Sequence, residues 1–322
     1  MGQSANLRGA LLALLSFGIY ASHDAVVKLL GAGYSPFQLI FFSVLFGFPL
    51  ALMMIMRDPQ PGTLLPVHPW WIALRTAAAV VTGSTAFYAF GVLPLAQVYA
   101  IVFATPLIIT VLAIPVLGER VRIRRWVAVI VGLCGVLVVI RPGTTDLSLG
   151  HLAALVAAFG GAVASIIVRK VGAEERPVVL LLYPMLANFV LMAIALPFVY
   201  RPMPIQDLAL VAFMSFLGWV GGVVIIAAYR SGEAVIVAPM QYSQIVWAAA
   251  YGWLFFDEGI DGWTAAGASI IIASGVYIVL REGRSGASTH RPVLTGKTRP
   301  DTGTAARPTL LARMARMRAD PD

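Results

Sequence analysis

Ten stretches of mostly apolar residues follow one another along the chain, at 7–29, 35–56, 71–92, 95–117, 125–141, 150–170, 177–200, 207–229, 234–256 and 262–281. About 20 such residues, rising about 1.5 Å each in a helix, cover the hydrocarbon core of a bilayer. The runs do not alternate apolar with polar positions as barrel strands do. The pattern therefore predicts an all-α membrane protein with ten transmembrane helices. The first run is too long for a signal-peptide core and no small-residue cleavage pattern follows it, so it reads as an uncleaved span. From residue 282 onward the pattern stops. Arg, Thr, Gly and Pro dominate there, which predicts a basic, disordered tail over 284–322. Within it Leu310, Leu311, Met314 and Met317, interleaved with Arg313, Arg316 and Arg318, offer a short amphipathic helix for an anionic lipid surface as the alternative.

The spans repeat. Residues 9–52 match 150–193 at an offset of 141, pairing Gly9 with Gly150, Ala21 with Ala162, Gly31 with Gly172, Pro36 with Pro177 and Phe48 with Phe189. Gly135–Gly143 matches Gly275–Gly283 at offset 140, and Glu119 pairs with Glu258 at 139. Identities between Leu- and Gly-rich helices are individually weak; the kept register carries the inference. Two repeats of five helices follow, over 1–143 and 144–283. Five is odd, so the second repeat lies inverted relative to the first. Inverted repeats are the usual basis of alternating access around a midplane site. Pro106 and Pro239 fall at non-equivalent positions of the two repeats, so a symmetric hinge does not follow from them.

Composition sharpens the picture. The chain has 322 residues, 59% hydrophobic and only 12% charged, with a mean hydropathy of +0.86. Soluble domains run near 25% charged, so a soluble enzyme is excluded. The net charge of +8 first suggests a nucleic-acid partner, but its placement argues otherwise. Half of it lies from residue 282 onward. With the N-terminus in the cytoplasm, inside segments hold ten basic residues before the tail is added; outside segments hold only Lys28, Arg141 and Arg201. The positive-inside rule then places both termini of this multi-pass membrane protein in the cytoplasm. The partners predicted are a small-molecule substrate and the lipid bilayer, with no nucleic acid. The single cysteine, Cys134, reads as a buried structural residue.

Residues 88–143 resemble the drug/metabolite transporter superfamily in its ten-helix bacterial branch, the EamA type. The resemblance rests on Leu93-Pro-Leu-Ala-Gln97, Ala104-Thr-Pro-Leu107, Gly118-Glu-Arg-Val121, Arg125-Trp126 and the run from Gly135 to Gly143. The second half supplies Ala238-Pro239, Gln241-Tyr242, Glu258, Gly267 and Gly275, and the first span carries Asp24-Ala-Val-Val-Lys28. The likeness covers 7–283. It implies a central cavity lined by spans 1–4 and 6–9, with spans 5 and 10 peripheral. The substrate it leaves open, since the branch holds exporters of amino acids and other metabolites alongside importers of vitamins such as riboflavin.

Ionisable groups within a span are costly and are functional candidates by default. Asp24 lies about 9 Å past the centre of the first span, with His23 beside it; it reads either as a proton or cation site or as an ion pair with Lys28 one turn on. Arg75 reads as an anion contact or as a side chain snorkelling to the inner headgroups. Gln97, Tyr99, Gln241, Tyr242 and Gln244 are polar groups that need partners away from lipid. Trp219, Trp247 and Tyr88 offer aromatic faces to a flat or apolar substrate, or ordinary packing. Glu119 and Glu258, at membrane edges, read as helix-end or loop anchors. His23, His68, His151 and His290 form no His-Glu-x-x-His zinc pattern, and no Gly-Lys-Ser/Thr loop is present. No cofactor is expected and no enzyme is read. A secondary transporter, with proton coupling as an option, is the functional expectation, against a non-transporting scaffold or sensor.

Overall fold

The computed structural model describes the backbone of residues 2–56, 64–118, 123–141, 148–172, 174–231 and 237–283. The expectations for the tail, for Glu119 and for the basic loop at Arg120 and Arg122 lie outside these residues. Among them the secondary structure is wholly helical: α1 (Gly2–Gly31), α2 (Pro36–Met56), α3 (Pro69–Val92), α4 (Leu95–Val102), α5 (Thr105–Leu117), α6 (Ile123–Ile140), α7 (Leu149–Val171), α8 (Pro177–Val199), α9 (Ile205–Ser231), a 3₁₀ segment (Ala238–Ser243), α10 (Gln244–Phe256) and α11 (Gly262–Gly283). Six stretches are both long and apolar enough to cross a membrane, one of them spanning α4 and α5 together; Trp126–Ile140 and Gly262–Ile278 are shorter apolar helices. Taking α4 with α5, and the 3₁₀ segment with α10, gives ten helical passages, as the hydrophobic pattern predicts.

Local chemistry sets the ends. Pro36, Pro69 and Pro177 each begin a helix, where proline's fixed φ fits and its missing N–H costs nothing. Ser148 caps α7 in a box closed by the His151 side chain. Gly118 and Asp257 end α5 and α10 in the left-handed conformation, with φ of 69° and 52°.

The fourth and ninth passages are broken, which corrects the two unbroken runs drawn from the sequence. Around the first break Ala104 N–H bonds to the Ile101 carbonyl, a tight i→i−3 turn, and Phe103 and Ala104 are both buried. In the ninth passage the 3₁₀ segment meets α10 at Ser243 and Gln244. Thr105 and Gln244, the first residues of the two following helices, are 139 positions apart; so are their left-handed ends, Gly118 and Asp257. The breaks are therefore equivalent although the prolines are not, so the correspondence lies in the backbone and is not marked by Pro106 and Pro239. Phe103 and Tyr242, also 139 apart, meet edge to face across the centre with ring centroids 5.1 Å apart.

Packing repeats the two-fold pattern. The most extensive interfaces are α1 with α9 and its exchanged counterpart α3 with α7, followed by α6 with α11. At the α1–α9 crossing Tyr20 lies on Gly221 and the Ser16 hydroxyl donates to the Gly221 carbonyl; at α3–α7 the small residue is Gly160, and Thr82 lies on it. At both crossings the first repeat supplies the larger side chain and the second the glycine. Cys134 is exposed, on a face of α6 that also exposes Val127, Ile130 and Leu137, so the buried reading made for it does not hold.

Candidate functional site

The α1 residues His23 and Asp24 are completely buried. His23 Nδ1 lies 2.7 Å from Asp24 Oδ1, and the hydroxyl of Tyr99, in the last turn of α4, donates to Asp24 Oδ2. Gln244, the first residue of α10, donates from Nε2 to the Tyr99 hydroxyl at 3.4 Å. One group comes from α1, one from just before the fourth-passage break and one from just after the ninth-passage break. Interrupted helices are tolerated in a membrane where protein covers the exposed backbone, and α4 is buried along nearly its whole length. A carboxylate held there by a phenol and an imidazole can accept a proton or meet a cationic group without leaving its hydrogen bonds entirely unmade.

The Asp24–Lys28 ion pair weighed from the sequence is not formed. Lys28 instead bonds to Glu258 Oε1 at 2.7 Å and to the Leu93 carbonyl at 2.7 Å, with the Phe256 ring 5.3 Å away. Arg75 is 0% exposed, which rules out snorkelling to headgroups.

The other sequence candidates scatter. Gln97 lies 3.1 Å from His151 Nε2, against the cap of α7. The Tyr242 hydroxyl fills the notch left by Gly275 on α11. Gln241 is half-buried in the 3₁₀ segment. Trp219 stacks on Phe216, its indole N–H buried and without a hydrogen-bond partner among the described residues. Trp247 packs over Gly18 and stacks on Tyr251, whose hydroxyl lies 2.8 Å from Ser22 Oγ. Tyr88 lines a cavity of about 520 Å³ between the α1–α2 turn, the end of α3 and the α8–α9 connection, together with Tyr34, Tyr200 and Arg201. Phe87 also lines that cavity, and its ring meets the His23 imidazole edge-on at 6.1 Å. Phe87 thus touches both the cavity and the imidazole that bonds Asp24. Nothing in the sequence singles out Phe87, one of 16 phenylalanines in an apolar chain. Among the described residues no three His, Cys, Asp or Glu side chains gather as metal ligands.

Comparison with known proteins agrees with this architecture. The profile of the EamA-like transporter family matches residues 7–141 and again 148–281. An S-adenosylmethionine uptake transporter of Rickettsia prowazekii is 26% identical over 88% of this chain and 96% of its own length. The pseudopaline exporter CntI of Pseudomonas aeruginosa is 28% identical over 83% of this chain and 94% of its own. A riboflavin transporter of Vibrio cholerae is 28% identical over 65% of this chain and 70% of its own. A protein of known crystal structure superposes with a TM-score of 0.52 at 21% identity, over 85% of this chain and 96% of that one, a likeness of fold.

Proposed function

The chain belongs to the EamA-like transporter family, within the drug/metabolite transporter superfamily, and on that premise we propose that it is a secondary transporter working by alternating access. It is a multi-pass membrane protein of a metabolite-transporting family. The finer reading is that it moves an amino acid or a related compound across the bacterial inner membrane. The observation that carries this is Asp24, a buried carboxylate facing the junction of two broken helices. Discontinuous helices near the midplane are where secondary transporters hold substrates and coupling ions, and an intramembrane carboxylate suits a protonated amine, a sulfonium or a proton. S-adenosylmethionine, the solute named for one relative, carries both an amino-acid group and a sulfonium cation.

In this reading Asp24 is the cation or proton site, Tyr99 and His23 hold its carboxylate, and Gln244 ties the ninth passage to it. The cavity beside Tyr88 is the approach from the far end of the bundle, and Phe87 closes it. Arg75 sits elsewhere in the core and belongs to the proposal only as a candidate anion contact. The domain division at 143/144 is kept as proposed from the repeats.

Counterflow in proteoliposomes tests this reading, with radiolabelled S-adenosylmethionine, amino acids and riboflavin as the panel. Wild-type protein is expected to exchange at least one solute bearing an amino-acid group. Asp24→Asn is expected to cut that exchange at least tenfold, with Asn keeping hydrogen bonds to Tyr99. Exchange of riboflavin alone would shift the reading to vitamin uptake, and an unchanged rate in Asp24→Asn would remove Asp24 from the site.

A further inference from the structure

The Lys28–Glu258 contact closes a ring that runs through the candidate site. Glu258 follows the left-handed end of α10, and its own N–H bonds back to the Gly252 carbonyl, which fixes it at the far end of the bundle. One carboxylate oxygen, Oε1, takes the Lys28 ammonium at 2.7 Å. The other, Oε2, accepts the backbone N–H of Leu95 at 3.2 Å. Leu95 is the first residue of α4, so Glu258 supplies the acceptor that the N-cap side chain, a proline, lacks. A carboxylate at that position also meets the positive end of the helix dipole. Lys28 completes the clamp by donating to the carbonyl of Leu93, two residues before α4.

The two helices joined here are the two that hold the site. Along α1, Asp24 and Lys28 are one turn apart; along α4, Leu95 and Tyr99 are one turn apart. Residues four apart lie on the same helix face. The Asp24–Tyr99 bond and the Lys28–Glu258–Leu95 clamp therefore staple α1 to α4 at successive turns. The eight-residue α4 is too short to hold its own register without its ends, and it is followed at once by the break at Phe103 and Ala104. What fixes its N-terminus fixes where Tyr99 sits.

We propose that Glu258 is a positioning residue: by clamping Lys28 and capping α4 it holds the Tyr99 hydroxyl on Asp24, so that the far-end contact and the occupancy of the buried site are coupled. This rests on the reading of Asp24 as the site. A proton or a cationic group arriving at Asp24 competes with Tyr99, and α4 then depends on the clamp alone. Opening the clamp at the far end releases Tyr99 in turn. Coupling of this kind is reciprocal.

The test reads Asp24 chemically and needs no known substrate. Purified full-length protein in liposomes is treated at one fixed pH with a water-soluble carbodiimide and an amine nucleophile, and trypsin then releases the segment from Gly9 to Lys28, whose only acidic residue is Asp24. Wild-type protein is expected to be labelled slowly, because Tyr99 occupies one carboxylate oxygen. Tyr99→Phe is expected to raise labelling at least threefold, and Glu258→Gln to raise it by a similar factor. Glu258→Asp is expected to restore most of the protection. The combined Tyr99→Phe/Glu258→Gln protein is expected to label no faster than either single variant, since both remove the same bond. Multiplying effects in the combined variant, or Glu258→Gln labelling at the wild-type rate, would overturn the positioning role. Melting temperatures are recorded alongside; if Glu258→Gln fails to fold, Lys28→Met with cleavage at a later site tests the same clamp from its other side. Protected labelling that behaves as expected while Asp24→Asn still exchanges solute would leave the ring standing and remove the transport reading instead.

Discussion

Asp24, Lys28 and Arg75 show how far a single charged side chain in a span can be read. Each is costly in hydrocarbon, and Asp24 and Arg75 each carry two sequence readings. What faces each group is given by the fold: Tyr99 for Asp24, Glu258 for Lys28 and protein on every side for Arg75. Tyr34, in the α1–α2 turn, gives a test outside the membrane. Its hydroxyl donates to the Asp207 carboxylate, and that bond, with burial and the neighbouring negative charge, raises its pKa above the ordinary tyrosine value. A raised value means that the folded state favours the protonated phenol. The stabilisation is therefore whole below about pH 10 and lost as pH climbs through the raised value. Tyr34→Phe is expected to lower the melting temperature by a similar small amount across pH 7 to 9, with the gap to wild type closing above about pH 10. A gap that widens with alkali would contradict the bond as described.

At the scale of elements, the equivalent breaks carry the most information. Pro106 is the second residue of α5 and Pro239 the second residue of the 3₁₀ segment, so the prolines mark the irregular passages without marking their symmetry. The symmetry lies in the backbone: two 13-residue helices, α5 and α10, begin and end at matching positions. The α6–α11 pair shows a close approach that only glycine permits. A Cβ on Gly267 would stand 2.6 Å from the Gly135 carbonyl oxygen and 2.5 Å from Val139 Cγ2, and one on Gly135 would stand 2.9 Å from the Gly267 carbonyl oxygen. Backbone cannot swing aside as a side-chain tip can, so Gly267→Ala is expected to cost about 1–3 kcal/mol. Gly259→Ala, where an added Cβ meets nothing within 4 Å, is the control and is expected to leave the thermal unfolding midpoint within about a degree.

For the whole molecule, polar contacts away from the candidate site gather at two ends. The His68 ring lies 2.7 Å from Glu174 and its backbone N–H bonds to Glu175, tying the start of α3 to the α7–α8 connection. Lys170 bonds to the Val116 carbonyl at that same end. Lys28, Glu258, Tyr34, Asp207, Gln38 and Arg201 meet at the other. By the positive-inside rule, the distribution of basic residues predicts that the His68 end faces the cytoplasm. In a Cys134→Ser background, Arg201→Cys is expected to react with a membrane-impermeant maleimide added outside intact spheroplasts, and His68→Cys only after permeabilisation. The reverse labelling would invert the protein in the membrane.

Hydropathy and register are local and additive, so the chain alone determines the ten passages, the repeats and their inversion; the family follows from motifs that keep their order. Proline and glycine positions predict where helices start and stop. They do not predict that α4 and α5 part at Phe103, because a break buried in protein costs little only when neighbours cover it. The candidate site was legible as a list: His23, Asp24, Tyr99 and Gln244 all stand out as polar residues in apolar runs. Their convergence was not legible, nor was the departure of Gln97 toward His151 and of Tyr242 into Gly275. Glu258 looked like a loop anchor, and only the packing of α1 against α4 gives that anchor something to hold. Burial and pairing are properties of facing surfaces, and two residues 163 positions apart, such as Leu95 and Glu258, become neighbours only when the two repeats close on each other.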